Sequence, residues 1–267
     1  MGEIMASTGE LESTATDLAR ECLYRFLATA VSDPYLDQWR LVRDSASQRL
    51  FSDAAALVRT ESASNPASLG FGELGSEHMD ADAIINELQS PMGELCAQHD
   101  RVFGLVQPRE CPPYETEYHP NSEAFFRAQQ LADIAGFYRA FGIQPGSSPP
   151  ERPDHLSLEL EFMSFLLLKK RTIHESGKPQ SDKREKIAIC ESAQRAFFTD
   201  HLAWWVPAFA RGLRRKAGDG LYAALGRFLG ALMPAERARW DIPAPRLPLQ
   251  PHVIERPEEQ ESCVGCN

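Results

Sequence analysis

The stretch ERPDHLSLELEFMSFLLLKK, residues 151–170, sets Glu151, Asp154, His155 and Glu159 at the mouth of an almost unbroken apolar run. Carboxylates and an imidazole this close together can exchange protons, ligate a metal, or accept hydrogen bonds from a cationic or amide-rich partner. The zinc-protease pattern needs two histidines at i,i+4 with a Glu between them, and here one His is present. Neither a Ser/His/Asp set nor a Gly-rich phosphate loop is signalled. Three readings stand open. In the structural one, Asp154 caps, His155 packs and Glu159 pairs locally. In the second, the acids form a binding lip, and in the third they form a metal or acid–base site.

The backbone beneath these residues decides what they can reach. Leu156, Leu158, Leu160 and Phe162 alternate like a strand, whereas Leu156, Leu160, Met163 and Leu167 fit a helix. The run is long for a strand and holds no β-branched residue before Lys170, so a helix capped by Asp154 is expected. On its wheel Ser157, Glu161 and Ser164 share one narrow side expected to face solvent, while Glu159 falls among Phe162, Met163 and Leu166. A carboxylate there costs free energy unless it is paired, and His155 lies at i,i+4 to serve.

Elsewhere the pattern is also helical. Thr14 and Asp17 resemble a capping box ahead of Ala19, Leu23, Phe26, Leu27 and Ala30, and Asp33-Pro34 stops that helix. A weaker helical pattern runs through Trp39, Leu41 and Val42. Residues 60–80 read as a loop, and a helix is expected from Pro91 to Phe103 with a turn before it. Residues 104–122 are too Pro-rich for a regular element; Asn121 or Ser122 can cap the next helix, which Gly142 ends. A long helix carries Ile187, Cys190, Phe197 and Trp204 until Pro207 kinks or splits it, and LYAALGRFLGALM forms a last short helix ending at Pro234. The expectation is one all-α, single-domain helical bundle over residues 14–233, of about seven to nine helices, between a flexible N-terminus (1–13) and a mobile Pro-rich acidic tail (234–267).

With 267 residues, 43% hydrophobic and 25% charged, the composition is that of a globular domain. A net charge of −10 argues against nucleic acid as the main partner and suits a basic one. No apolar run approaches a membrane span, no signal peptide is evident, and the cysteines lack the density of a disulfide scaffold, so a reduced cytoplasmic protein is expected.

PDHLSLELEFM (153–163) closely resembles the signature of the TorD/DmsD/NarJ family of cytoplasmic chaperones for molybdoenzymes. LYRFLATAVSDPY (23–35), HDRVFG (99–104), PPYETEY (112–118), LADIAGFYRAFGI (131–143) and HLAWWVPAFARGL (201–213) resemble further family segments in the family's order, although His99 and Val102 depart from it. The wording of PPYETEY and LADIAGFYRAFG is most similar to the subgroup serving type II enzymes of the DMSO reductase family. The resemblance implies an all-helical chaperone, without catalysis or cofactor of its own. It implies a partner too: an apo catalytic subunit, held before export and often through its twin-arginine signal peptide. Family members are monomers or helix-exchanged dimers. The functional positions carry over to Tyr114 and Glu115, and to Pro153, Asp154 and His155, with Glu151 and Glu159 beside them as client-binding candidates. The family often spells the second motif Glu-Pro-x-Asp-His; Glu151-Arg152-Pro153-Asp154-His155 keeps the acids and the His but shifts the Pro.

A different class of function rests on the terminal Cys263-Val264-Gly265-Cys266, as a metal or redox accessory site. Two thiolates are half of a structural zinc set, no second CxxC exists, and His252 and Cys111 are possible recruits. The expected result is that reduced protein carries no stoichiometric zinc by metal analysis. Zinc that is lost in Cys263→Ser and Cys266→Ser would establish the metal site instead.

Overall fold

The leucine-rich run at 156–175 is helical, and the helices Gly2–Val31 and Gln180–Phe197 that pack against it bury its apolar side chains. The computed structural model describes residues 2–104, 110–121, 123–144, 151–177, 179–245 and 249–251, with side chains from Thr14 onward. Its helices are α1 (Gly2–Val31), α2 (Arg40–Arg43), α3 (Ser45–Ser64), α4 (Ala81–Glu87), α5 (Met92–Phe103), α6 (Ala124–Ala140), α7 (Leu156–Glu175), α8 (Gln180–Phe197), α9 (Val206–Ala217) and α10 (Gly220–Trp240). Among the described residues there is no strand, so the all-α expectation holds, with ten helices where about seven to nine were expected. Helix α1 packs on α3 and α7, and α7 on α8; α10 packs on α4, α5 and α9, and α3 links the two groups. Leu160, Leu166, Phe197, Trp205, Phe209, Phe228 and Leu232 lie in the shared core.

Several sequence expectations are corrected. Helix α1 begins at Gly2, so Thr14 lies inside it rather than at its start. Helix α3 was not read from the sequence, although Phe51, Ala54, Ala55 and Val58 form its buried stripe and the Asp44 carboxylate caps it by accepting from the Ser47 N–H. Ser164 is buried rather than solvent-facing, its hydroxyl donating to the Glu21 carbonyl of α1. Arg214, in the last turn of α9, donates to the carbonyls of Gly226 and Gly72. Pro207 does split its helix: α8 passes into a π-helical turn at Phe198–Leu202, and α9 restarts with Pro207 in its first turn.

Pro234 does not end α10, which runs six residues further, so the folded body extends past residue 233. A mid-helix proline leaves the carbonyl four residues back without its usual donor. That carbonyl belongs to Gly230, and it accepts from the Leu74 N–H at 2.9 Å instead. The continuation positions Glu236 and Arg237. Glu236 accepts from Arg20 Nε (2.6 Å) and Tyr24 Oη (2.9 Å) of α1, while Arg237 forks onto Glu73 at 2.6 and 2.7 Å. Glu236 and Glu73 are buried and so depend on these donors.

No helix among the described residues is long and apolar enough to cross a membrane, and no group of three metal-capable side chains is present among them. Cys263, Cys266 and His252 lie outside the described residues. The expected outcome for Glu236→Ala, which leaves the buried Arg20 guanidinium half-matched, is a loss of about 3–5 kcal/mol in urea denaturation. Loss below about 1 kcal/mol would show that the α1–α10 ion pair does not hold the two helix groups together.

Candidate functional site

Two proline-bounded segments, 112–118 and 151–156, meet in a single antiparallel bridge between Tyr114 and His155. The Glu115 N–H donates to the Asp154 carbonyl at 3.0 Å and the Leu156 N–H to the Pro113 carbonyl at 2.9 Å. Prolines suit this place because neither segment has a further strand to feed. The bridge fixes the start of α7 against the Pro-Tyr-Glu turn, and Tyr138 of α6 closes the third side by donating to the Pro153 carbonyl at 2.9 Å.

Asp154 is not the helix cap. His155 is: its Nδ1 accepts from the Ser157 N–H at 3.1 Å and lies 2.6 Å from the Ser157 hydroxyl. A backbone N–H can only donate, so Nδ1 carries no proton and the neutral ring is protonated at Nε2. Burial drives the His155 pKa down to about 4 against the upward pull of Glu151 and Asp154, so the ring is uncharged at neutral pH. His155 therefore does not pair with Glu159 through an ionic contact, as the i,i+4 spacing suggested; its ring meets the Tyr114 ring edge-on at 5.1 Å.

Asp154, fully buried, turns instead across the bridge. Its Oδ2 accepts from the Thr116 N–H (3.1 Å), the Thr116 hydroxyl (2.7 Å) and Arg152 Nη2 (2.8 Å), and its Oδ1 accepts from Arg152 Nε (3.0 Å). Arg152 also donates to Glu117 at 3.2 Å, and its guanidinium lies 4.3 Å above the Tyr114 ring centroid. Glu117 has a second cation, Arg127, at 3.2 Å. Tyr114, half-buried, donates to the Glu151 carboxylate at 3.2 Å, and burial followed by Glu151 pushes its pKa up to about 12. Of the residues singled out from sequence, Glu151 is exposed, Tyr114 and Pro153 are half-buried, and Glu115, Asp154, His155 and Glu159 are buried. An openly acidic lip is thus corrected to a lip whose deeper acid is already matched from within.

Beneath it lies a second polar cluster. Glu115 accepts from Gln130 (2.8 Å) and the Trp204 indole (3.1 Å), and His201 Nδ1 lies 3.2 Å away. Glu159 is fully buried, and neither of its oxygens has a hydrogen-bond donor among the described groups as long as the neighbouring carboxyl is ionised. Burial, with Glu115 next, raises the Glu159 pKa well above the usual 4.5. Burial raises the Glu115 pKa as well, but His201, Gln130 and Glu159 pull it back, so of this coupled pair Glu159 is the acid that holds a proton more firmly. The π turn carries His201 to Glu115, and the His201 ring meets Phe137, which packs edge-on against Phe162 and Phe197.

On the outer side of α6 an apolar groove of about 570 Å³ runs along α8, lined by Phe137, Phe141, Ala188, Ile189 and Ala193. Ile189 is 52% exposed there. Tyr138, which ties α6 to the lip, stands between Phe137 and Phe141 in sequence, so groove and lip share one helix. Arg152, Thr116, Glu117, Gln130, His201 and Trp204 were not singled out as site residues from sequence. Arg152, Thr116, Glu117, His201 and Trp204 stood inside the quoted segments and Gln130 did not, but no spacing joins the segment of residues 201–213 to the Pro-Tyr-Glu turn.

The buried carboxyl pair makes stability depend on pH. A Glu159 pKa raised in the folded state means a contribution that is full below the unfolded value near 4.5 and lost as pH rises through the folded value. Relative to Glu159→Gln, which keeps the shape and cannot ionise, the wild type should lose up to about 1.4 kcal/mol per pH unit across part of the range from about pH 5 to 9. Urea denaturation at a series of pH values gives the difference curve; parallel curves would mean that Glu159 is ionised in the folded protein.

The family model described as "Nitrate reductase delta subunit" matches residues 77–211, half of the chain and the part that holds both bridged segments. The chain is 37% identical over 117 residues to a selenate reductase assembly chaperone protein of Thauera selenatis, covering 44% of this chain and 56% of that one. It is 27% identical over 153 residues to the chaperone protein TorD of Vibrio cholerae, covering 57% of this chain and 65% of that one. It is 26% identical over 225 residues to a perchlorate reductase assembly chaperone protein of Dechloromonas aromatica, covering 80% and 87%. The chain spans between half and two thirds of the length of the first two of these relatives. Its helical body, its paired Pro-Tyr-Glu and Pro-Asp-His segments and the match over half its length make the chain a member of the nitrate reductase delta subunit family, to which the TorD- and NarJ-type chaperones belong.

Proposed function

We propose that this protein is a cytoplasmic chaperone, not an enzyme, that holds the immature catalytic subunit of a molybdenum-cofactor reductase or dehydrogenase until its cofactor is inserted. The names of its relatives, which are assembly chaperones for selenate and perchlorate reductases, support a client of the same oxyanion-reductase kind. The observation that carries the reading is the pairing, through α6, of a lip that seats a guanidinium with an apolar groove. A segment with adjacent arginines followed by an apolar run, as in a twin-arginine signal peptide, has the complementary chemistry. Carboxylates take guanidinium groups by two parallel hydrogen bonds, and a groove lined by phenylalanine and isoleucine takes the apolar run.

The roles divide by exposure. Tyr114 and Glu151 stand at the rim and can meet a partner directly, whereas Asp154, Pro153 and His155 hold the rim's backbone in place. Glu115 and Glu159 act below, keeping the Pro-Tyr-Glu turn seated on α7. Micromolar binding needs only about 8 kcal/mol net, and modest affinity suits a protein that must release its client.

The test is capture of the catalytic subunit from cells expressing the reductase genes that accompany this one, with the bound protein identified by mass spectrometry. Glu151→Gln and Tyr114→Ala should weaken capture about three- to tenfold while leaving the helical circular dichroism intact, because neither side chain is buried in the core. Failure of the wild-type protein to retain any molybdoenzyme subunit would overturn the reading.

A further inference from the structure

We infer that Arg152 is a built-in competitor: its guanidinium occupies the seat a client arginine would take, so binding requires Arg152 to leave. This rests on the chaperone reading and concerns how the same lip is regulated. The observation is a guanidinium already docked in full. Arg152 forks onto Asp154 through Nε (3.0 Å) and Nη2 (2.8 Å), donates to the Thr116 hydroxyl (2.7 Å) and to Glu117 (3.2 Å), and covers the Tyr114 ring at 4.3 Å. Its side chain is 37% exposed while the Asp154 side chain beneath it is 0% exposed. Arg152 is therefore what stands between solvent and that carboxylate.

The seat does not need Arg152 in order to exist. Asp154 keeps both donors of Thr116, and Glu117 keeps Arg127. The Tyr114–His155 bridge is made by backbone alone. The Arg152 carbonyl accepts the His155 N–H and its own N–H donates to Glu151, both of which any residue but proline retains. Removing the side chain thus opens a carboxylate, an aromatic face and a second acid in one fixed arrangement. Arg152 lies two residues from Asp154, so its effective concentration at the seat is high and it lowers the fraction of molecules competent to bind. A lysine ligand gains less from the vacancy, since an ammonium cannot make the two parallel bonds that Arg152 makes.

The experiment uses the full chain and a synthetic peptide with two adjacent arginines ahead of a leucine-rich run, with a lysine-pair peptide as control. By calorimetry, Arg152→Ala and Arg152→Gln should bind the arginine peptide about tenfold more tightly than wild type. The gain should be smaller for the lysine peptide and abolished by adding Asp154→Asn. In the wild type, saturating peptide should shift the Arg152 Nε–H nuclear magnetic resonance signal, assigned by its loss in Arg152→Lys, to that of an exposed arginine. Equal or weaker binding by both variants, or an Arg152 signal unmoved at saturation, would overturn the competitor while leaving client capture by the wild type, and with it the chaperone reading, intact. Loss of client capture would sink the chaperone reading by itself.

Discussion

A carboxylate taken out of water must be met by donors or by a proton, and most of this structure's non-apolar architecture answers that demand. Asp154 is the instance on which the lip depends. Four donors from two residues on different segments converge on it, and with the Tyr114–His155 bridge they fasten the Pro-Tyr-Glu turn to the start of α7. Because the carboxylate is saturated, His155 is left to cap the helix, and because His155 caps as a neutral acceptor, the aromatic stack with Tyr114 carries no charge.

The same demand is met in different ways elsewhere. Glu236 and Glu73 are matched by arginines, which knit α1 and the 70–74 loop to the end of α10. Glu115 is matched by an amide, an indole and a histidine, and Glu159 only by a proton shared with Glu115. The arginine-matched acids sit where the body must be rigid. The proton-matched one sits under the lip, where the π turn interrupts α8 to deliver His201. Arg152 differs from these buried arginines: its side chain is partly exposed, and its partners Asp154 and Glu117 have donors besides it.

Much of the fold was legible because helical periodicity is local. The stripe from Leu156 to Leu167, the stop at Asp33-Pro34 and the split at Pro207 all follow from rules within one or two turns, and the structure has them. Pro234 was misread because the cost of a mid-helix proline depends on whether the orphaned carbonyl finds a donor, and the donor, Leu74, lies far away in sequence. Ser164 was misread for the same kind of reason, since a polar narrow side can face another helix when that helix offers a carbonyl.

From the sequence come the helical class, the stops at Asp33-Pro34 and Phe103, and the apolar stripe of α7. Residue type and spacing within a turn carry that information. Only the tertiary structure shows which acids are open and which are sealed, that Arg152 forks onto Asp154, and that Glu115 meets both Glu159 and His201. Those outcomes turn on desolvation and on donors supplied by segments remote in the chain, and neither quantity has a local signature.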